Sequence, residues 1–185
     1  MKALDLLLQK WRIAKAIPWV RSGDRLLDVG CYDDSLIERV RPRIASATGV
    51  DAVLNPREEG NVRLLRGLFP DDFDFPEGSF DCISLLAVLE HVPNPEDFAA
   101  ACYRVLAPEG RVVLTVPHPL VDRILDVLMW LRLVDGMATE EHHGFDVGET
   151  VPLFESAGFA LHAEERFQLG LNRLFVFEKG GAGSS

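Results

Sequence analysis

The sequence is short of positive charge, of cysteine and of long apolar runs. Nineteen Lys and Arg face 29 Asp and Glu, for a net charge of -10. An acidic surface repels phosphate backbones and anionic bilayers, so no nucleic acid partner and no stable membrane insertion are expected. The three cysteines, Cys31, Cys82 and Cys102, are odd in number and lack CxxC spacing. They provide neither a disulfide framework nor a zinc signature, so no metal is expected and a reducing cytoplasm fits. Cys82 and Cys102 lie in apolar patterns and read as small core residues. No run approaches the length of a membrane span. The opening "MKALDLLLQKWRIAKAIPWV" is cut by Asp5 and carries Lys10, Arg12 and Lys15. Without a small-residue cleavage pattern it reads as an amphipathic helix rather than a signal peptide, with Leu4, Leu7, Leu8, Trp11 and the Lys15 stem on one face. There is no internal repeat.

What is present describes a globular domain. With 185 residues, 48% of them hydrophobic and 26% charged, one sizeable core can form. The expected organisation is one domain over 1–179, an N-terminal helix within 1–20, a helix and lid insertion over 120–148, and a flexible tail at 180–185. Strands alternate with helices along the first two thirds. "RLLDV" from Arg25, "SATGVDA" ending near Asp51, "VRLLRG", "FDCISLL" from Phe80 and "RVVLTVP" read as five strands. "SLIERV" starts a helix in which Ser35 and Glu38 have capping-box spacing. "NPEDFAAACYRVLAPEG" is a second helix, with Asn94 as cap, Pro95 in its first turn, and Pro108 and Gly110 ending it. A very apolar helix, "LVDRILDVLMWLRLVDG", and a polar loop, "MATEEHHGFD", follow. "ETVPLFESAG" is a short helix. "FALHAEERF" and "RLFVFEK" are too close for a crossover helix and should pair antiparallel. The fold class is α/β: a mostly parallel sheet with helices on both faces.

Sheets of this kind bind ligands beyond the carboxyl ends of their strands. Those ends are Gly30 to Asp34, Asp51, Gly67 to Phe69, Leu86 to His91 and Pro117 to Pro119. Asp51 stands 21 residues after Gly30, at the end of the next strand. An acid at that place can accept hydrogen bonds from both hydroxyls of an adenosine ribose.

"LLDVGCYDDSL", "GVD", "FDCISLLAVLEHVPNPEDFAAACYRVLAPEGRVVLTVP" and "ESAGF" together resemble the class I S-adenosylmethionine-dependent methyltransferases, in particular the small bacterial methyltransferase-domain type. The resemblance runs from about Arg21 to Lys179 and is most specific from Phe80 to Pro117. It implies a Rossmann-like seven-stranded sheet with an antiparallel last strand, and S-adenosylmethionine as cofactor. It also implies that Asp28, Gly30, Cys31 and Tyr32 belong to the loop facing the methionine part of the cofactor. Asp51 and Ala52 would meet the ribose, Gly67 and Leu68 the adenine, and Leu86 and Ala87 the cofactor's other side. Glu90 and His91 match the family's "LEH" signature, with His91 either at the mouth of the site or holding backbone at a helix start.

The chain departs from the family in two places. A G-x-G-x-G loop is usual, and here Tyr32 and Asp34 replace the second and third glycines. Many members carry an acid where Leu68 stands, a role that Asp71 or Asp72 could take. The leading reading is a methyltransferase acting on an oxygen or nitrogen of a small-molecule, glycan or lipid-linked acceptor. Its candidate proton acceptors are His118 and His143, with His142 and His91 behind them; His162, within a strand, reads as structural. The alternative is a non-catalytic binding or scaffold protein with a degenerate cofactor loop. A dinucleotide-dependent dehydrogenase is disfavoured by the lack of G-x-G-x-x-G. The apolar helix over 120–134 reads as core, or as a lid or homodimer contact.

Overall fold

The computed structural model describes residues 3–117 and 146–180. The expected helix over 120–134, most of the lid insertion, and His118, His142 and His143 lie outside the described residues.

Leu26 and Leu27, adjacent in β1 (Arg25–Val29), are both 0% exposed. A strand buried on both faces reads as a continuous apolar run, as parallel sheets covered by helices require. β2 (Ser46–Asp51) and β5 (Phe80–Leu86) flank β1 in parallel. β4 (Val62–Arg66) pairs parallel with β2, and β6 (Leu106–Pro117) parallel with β5. The last strand, β8 (Asn172–Lys179), runs antiparallel between β6 and β7 (Phe159–Phe167). The order is β3-β4-β2-β1-β5-β6-β8-β7. One strand exceeds the expected seven: β3 (Arg57–Glu59), an exposed edge strand antiparallel to β4. Its "REE" has no apolar residue to announce it. No described helix is long and apolar enough to cross a membrane.

Among the described residues four helices, α1 (Ala3–Ala16), α2 (Ser35–Val40), α3 (Pro95–Val105) and α4 (Thr150–Ser156), accompany the sheet. α3 buries Phe98, Ala99, Cys102 and Val105, an i, i+4, i+7 stripe, against the core cluster that contains Phe154 and Phe177. Two expected caps form differently. Asp34, not Ser35, takes the N-cap position of α2, and Glu38 pairs with Arg41 at 3.2 Å instead of reaching back. Asn94 stands at the N-cap of α3, but its side chain accepts nothing there. β6 begins five residues before the expected strand, with a register break between the Phe80–Leu106 and Cys82–Arg111 pairs that accommodates Pro108 and Gly110.

α1 is also turned from its expected face. Ile13 and Ala16 are buried, whereas Leu7 and Trp11 remain 47% and 49% exposed. Polar anchors set the rotation. Gln9 Nε2 donates to Asp33 Oδ1 at 3.3 Å, and the Leu8 carbonyl accepts from Gln168 Nε2 at 3.2 Å. These two contacts stretch the start of α1 from the loop after β1 to the turn between β7 and β8.

The opposite edge of the sheet is tied by Arg111, 2% exposed and the largest fully buried side chain. Its guanidinium pairs with the buried Asp24 and donates to the Trp19 carbonyl. It thus joins β6 to the segment entering β1. Removing one member of such a pair strands a buried charge. Arg111→Met should therefore lower the unfolding free energy by roughly 3–5 kcal/mol. In urea denaturation, Arg111→Met combined with Asp24→Leu should recover much of that loss, because no lone charge remains.

Candidate cofactor cleft

The loop after β1 crosses the carboxyl edge at Gly30, whose φ is 66°. A side chain here is excluded twice: the left-handed backbone disfavours one, and an added Cβ would lie 2.5 Å from Val88 Cγ2. Tyr32 also adopts a left-handed φ, 53°, and its side chain is 55% exposed. Asp34 does not: its φ and ψ are -95° and 18°, so no glycine is needed there. Its carboxylate pairs with Arg57 of β3. The two replaced glycines are therefore unequal. One position keeps the turn's left-handed geometry with an outward ring, and the other starts a helix.

Asp51, at the tip of β2, holds this loop in place. Its Oδ2 accepts the Tyr32 backbone N–H at 2.9 Å, and its Oδ1 accepts that of Val53 at 3.0 Å. Each carboxylate oxygen retains capacity for another donor. Around Asp51 stand three exposed apolar side chains, Tyr32 at 55%, Val53 at 61% and Leu68 at 60%. Val53 was not singled out from sequence; its signal was an apolar residue two places past a strand-end acid. Ala52 is exposed beside it. Gly67, at the end of β4, donates to the Asp51 carbonyl at 3.2 Å, which brings the Gly67–Leu68 turn to the same corner. Asp72 Oδ2 accepts the Leu68 N–H at 2.7 Å, so the candidate substitute acid shapes this turn.

Asp28 and Cys31 point elsewhere. Asp28 is 3% exposed, and Ser84 of β5 donates to its Oδ1 at 2.6 Å. Burial pushes the Asp28 carboxyl up to about 7; the Ser84 hydrogen bond opposes the shift, and the nearby Asp33 and Asp51 charges add to it. Cys31 is buried in the cluster with Leu36, Ile37 and Leu64, its thiol 3.8 Å from the Val50 carbonyl. Burial raises its pKa far above the usual thiol range. It packs under the loop, so only its backbone can face a ligand. Leu86 ends β5 and Ala87 follows it, both half-buried, with Ala87 at φ 60° and its N–H on the Thr115 carbonyl at 3.0 Å. Glu90 is buried and His91 exposed in the short 3-10 turn that follows. His162, in the exposed edge strand β7, lies 3.3 Å from Glu178, away from these residues in the sheet order. Among the described residues no three His, Cys, Asp or Glu side chains form a metal-binding group.

The fit to S-adenosylmethionine rests on this donor set. A carboxylate with spare acceptor sites suits vicinal hydroxyls, exposed apolar side chains suit a purine, and the Asp33 carboxylate suits a cationic methionine end.

The loop analysis predicts opposite outcomes for two glycine substitutions. Tyr32→Gly should raise thermal stability by up to about 1 kcal/mol, because it removes a left-handed side-chain penalty. Asp34→Gly should lower it by roughly 1 kcal/mol, because a right-handed helix start gains freedom and an ion pair is lost. The Asp28 environment predicts a pH effect. A carboxyl whose folded pKa is raised holds its proton more tightly when folded. Its ionisation then removes stability as pH rises from roughly 4, the unfolded value, through about 7. Asp28→Asn should lack that loss, so its stability relative to the native chain should grow across this window and level off above it. Urea unfolding over the pH range reads the difference; parallel curves would exclude an ionising Asp28.

The methyltransferase domain family model matches residues 5–164. The ubiquinone biosynthesis O-methyltransferase of Nitrosococcus oceani is 31% identical over 137 residues, covering 67% of this chain and 58% of that protein. Its counterpart from Dechloromonas aromatica is 35% identical over 103 residues, covering 51% and 44%. The chain thus spans about half the length of the curated relatives it matches. Among solved structures, the 1,6-didemethyltoxoflavin-N1-methyltransferase of Burkholderia thailandensis, with S-adenosylhomocysteine bound, superposes with a TM-score of 0.71 at 19% identity, covering 94% of this chain and 78% of that one. With that family model matched over residues 5–164, the chain belongs to the methyltransferase domain family, within the class I S-adenosylmethionine-dependent methyltransferases.

Proposed function

We propose that this chain transfers a methyl group from S-adenosylmethionine to a hydroxyl oxygen of a small-molecule acceptor. The observation that carries the reading is the corner at Asp51, where a half-buried strand-tip carboxylate is framed by the exposed side chains of Tyr32, Val53 and Leu68. The names of the curated relatives, which are O-methyltransferases, favour oxygen over nitrogen.

The cofactor supplies a methyl already activated on a sulfonium, so the protein's part is binding, alignment and proton removal. Asp51 would accept the ribose hydroxyls while holding the loop through the Tyr32 N–H. Val53 and Leu68 would offer the purine apolar contact. Asp33, fixed by the Ser35 N–H at 3.0 Å and by Gln9, offers a carboxylate to the cationic end. Leu86 and Ala87 bound the other side. An acceptor hydroxyl must lose its proton as its oxygen attacks, and His118 and His143 are the proposed proton acceptors. His118 directly follows Pro117, the last residue of β6 at the carboxyl edge.

Asp51→Ala removes charge-assisted hydrogen bonds worth roughly 1.5–3 kcal/mol each, so affinity for S-adenosylmethionine should fall at least about tenfold. Isothermal titration of a variant that still unfolds cooperatively makes the measurement. Unchanged affinity would remove Asp51 from the ribose site.

A further inference from the structure

Three carboxylates gather around the loop after β1. Asp28 stands two residues before Gly30 and is 3% exposed. Asp33 follows in the loop, and Asp51 holds that loop from the tip of β2. Among the described residues, no Lys or Arg forms an ion pair with any of the three, whereas Asp24, Asp34 and Asp81 each have an arginine partner. The chain neutralises those acids and leaves this group without a cation of its own.

We propose that Asp28 is a specificity-determining residue of the cofactor cleft: it selects the cationic donor, S-adenosylmethionine, over the neutral product, S-adenosylhomocysteine, by giving up its proton to solvent when the donor binds and not when the product does. The proposal rests on the methyl-transfer reading of the cleft and adds to it the basis on which spent cofactor is exchanged.

Geometry sets Asp28 apart from its two neighbours. Asp33 accepts from the Ser35 N–H and from Gln9, and Asp51 accepts two backbone N–H groups. Asp28 is held by one hydroxyl, Ser84 Oγ at 2.6 Å. The ionisable groups around it give the carboxylate no support. The loop brings Asp33 and the buried thiol of Cys31, β2 brings Asp51, and β5 brings the buried thiol of Cys82. From α1, the neutral Gln9 reaches Asp33, and Arg12 lies half-buried on the next turn. Burial, reinforced by the Asp33 and Asp51 charges and opposed by Ser84, pushes the Asp28 carboxyl up to about 7. Its proton is therefore exchangeable near neutrality.

A cation in the cleft reverses that balance. S-adenosylmethionine bears a sulfonium, an ammonium and a carboxylate, and so a net positive charge; its product lacks the sulfonium charge and is neutral. A buried site screens such a charge weakly, so the donor favours ionised Asp28 and the product does not. In the transfer, the methyl–sulfur bond breaks with its electron pair left on sulfur. The acceptor oxygen bonds the methyl and loses its proton to the base. The positive charge then disappears from the cleft, and Asp28 takes up a proton from solvent. Linkage fixes the sign: a ligand that favours the ionised carboxylate binds more tightly as pH rises, up to the pKa of the free protein.

The affinity for S-adenosylmethionine relative to S-adenosylhomocysteine should therefore rise by about tenfold between about pH 5.5 and about pH 7.5, as lowering the Asp28 pKa by roughly one unit or slightly more requires. Isothermal titration of the full chain with each ligand, repeated in buffers of different ionisation enthalpy, also counts the protons released. Near pH 6.5, roughly midway through that window, the donor should release a large fraction of a proton and the product none. Asp28→Asn should abolish both the release and the pH dependence of the ratio. Ser84→Ala removes the hydroxyl that favours the ionised form, so its profile should move to higher pH, which a merely structural role would not produce. If Asp28→Asn does not fold, the native chain and Ser84→Ala still decide. Equal proton release with both ligands, a ratio independent of pH in the native chain, or a pH-dependent ratio that survives in Asp28→Asn overturns the role of Asp28 while leaving the cleft a cofactor site. Binding of neither ligand overturns the cofactor reading, and this role with it.

Discussion

The carboxylate of Asp51 is the constraint on which the cleft depends. It accepts one backbone N–H from the loop after β1 and one from the turn after β2. A carboxylate oxygen can serve more than one donor, so the group that shapes the loop can also receive a ligand hydroxyl. Holding Tyr32 from below sets the left-handed turn that a glycine would otherwise make easy. It also turns the aromatic ring outward. The loop keeps its path with one glycine because a neighbouring strand stabilises the conformation that the chain alone would resist.

The rest of the carboxyl edge is organised around that corner. β1, β2 and β5 end together because their parallel registers are continuous and their side chains are buried on both faces. Val88 closes over Gly30 from the β5 side, at a distance no side chain on Gly30 would tolerate. α1 spans the same edge, tied at Asp33 on one side and at Gln168 on the other. Its first half therefore links the loop after β1 to the turn between β7 and β8. The opposite edge has a different task. Arg111 and Asp24 make a buried pair that anchors the chain entering β1, at the amino ends of the strands.

Electrostatics favours a cationic ligand at this edge. Asp28, Asp33 and Asp51 are close enough that the charges of the last two raise the pKa of the first. A sulfonium and an ammonium would offset that repulsion. The acidity of the whole chain has a local expression in the cleft.

Much of the fold was legible in the sequence. Paired apolar residues such as Leu26 and Leu27 announced strands buried on both faces, and the short "QLGLN" link announced an antiparallel closing pair. The spacing from Gly30 to Asp51 marked the corner because strand length and crossover length repeat in such folds. Other features needed three dimensions. β3 has no apolar side chain, so only pairing with β4 reveals it. The face of α1 was misjudged because hydrophobic periodicity locates an apolar stripe but not the polar anchors that rotate it, and Trp11 lies outward as a result. Tyr32 and Asp34 looked equivalent as lost glycines. Their backbone angles differ because Asp51 grips one and α2 begins at the other, and neither influence is local in sequence. The order of elements and the identity of the strand-tip acid are properties of the chain itself, since periodicity and spacing are local. The conformation of the loop and the outward Trp11 were decided by the tertiary structure, because each depends on which distant backbone group happens to lie within hydrogen-bond or packing distance.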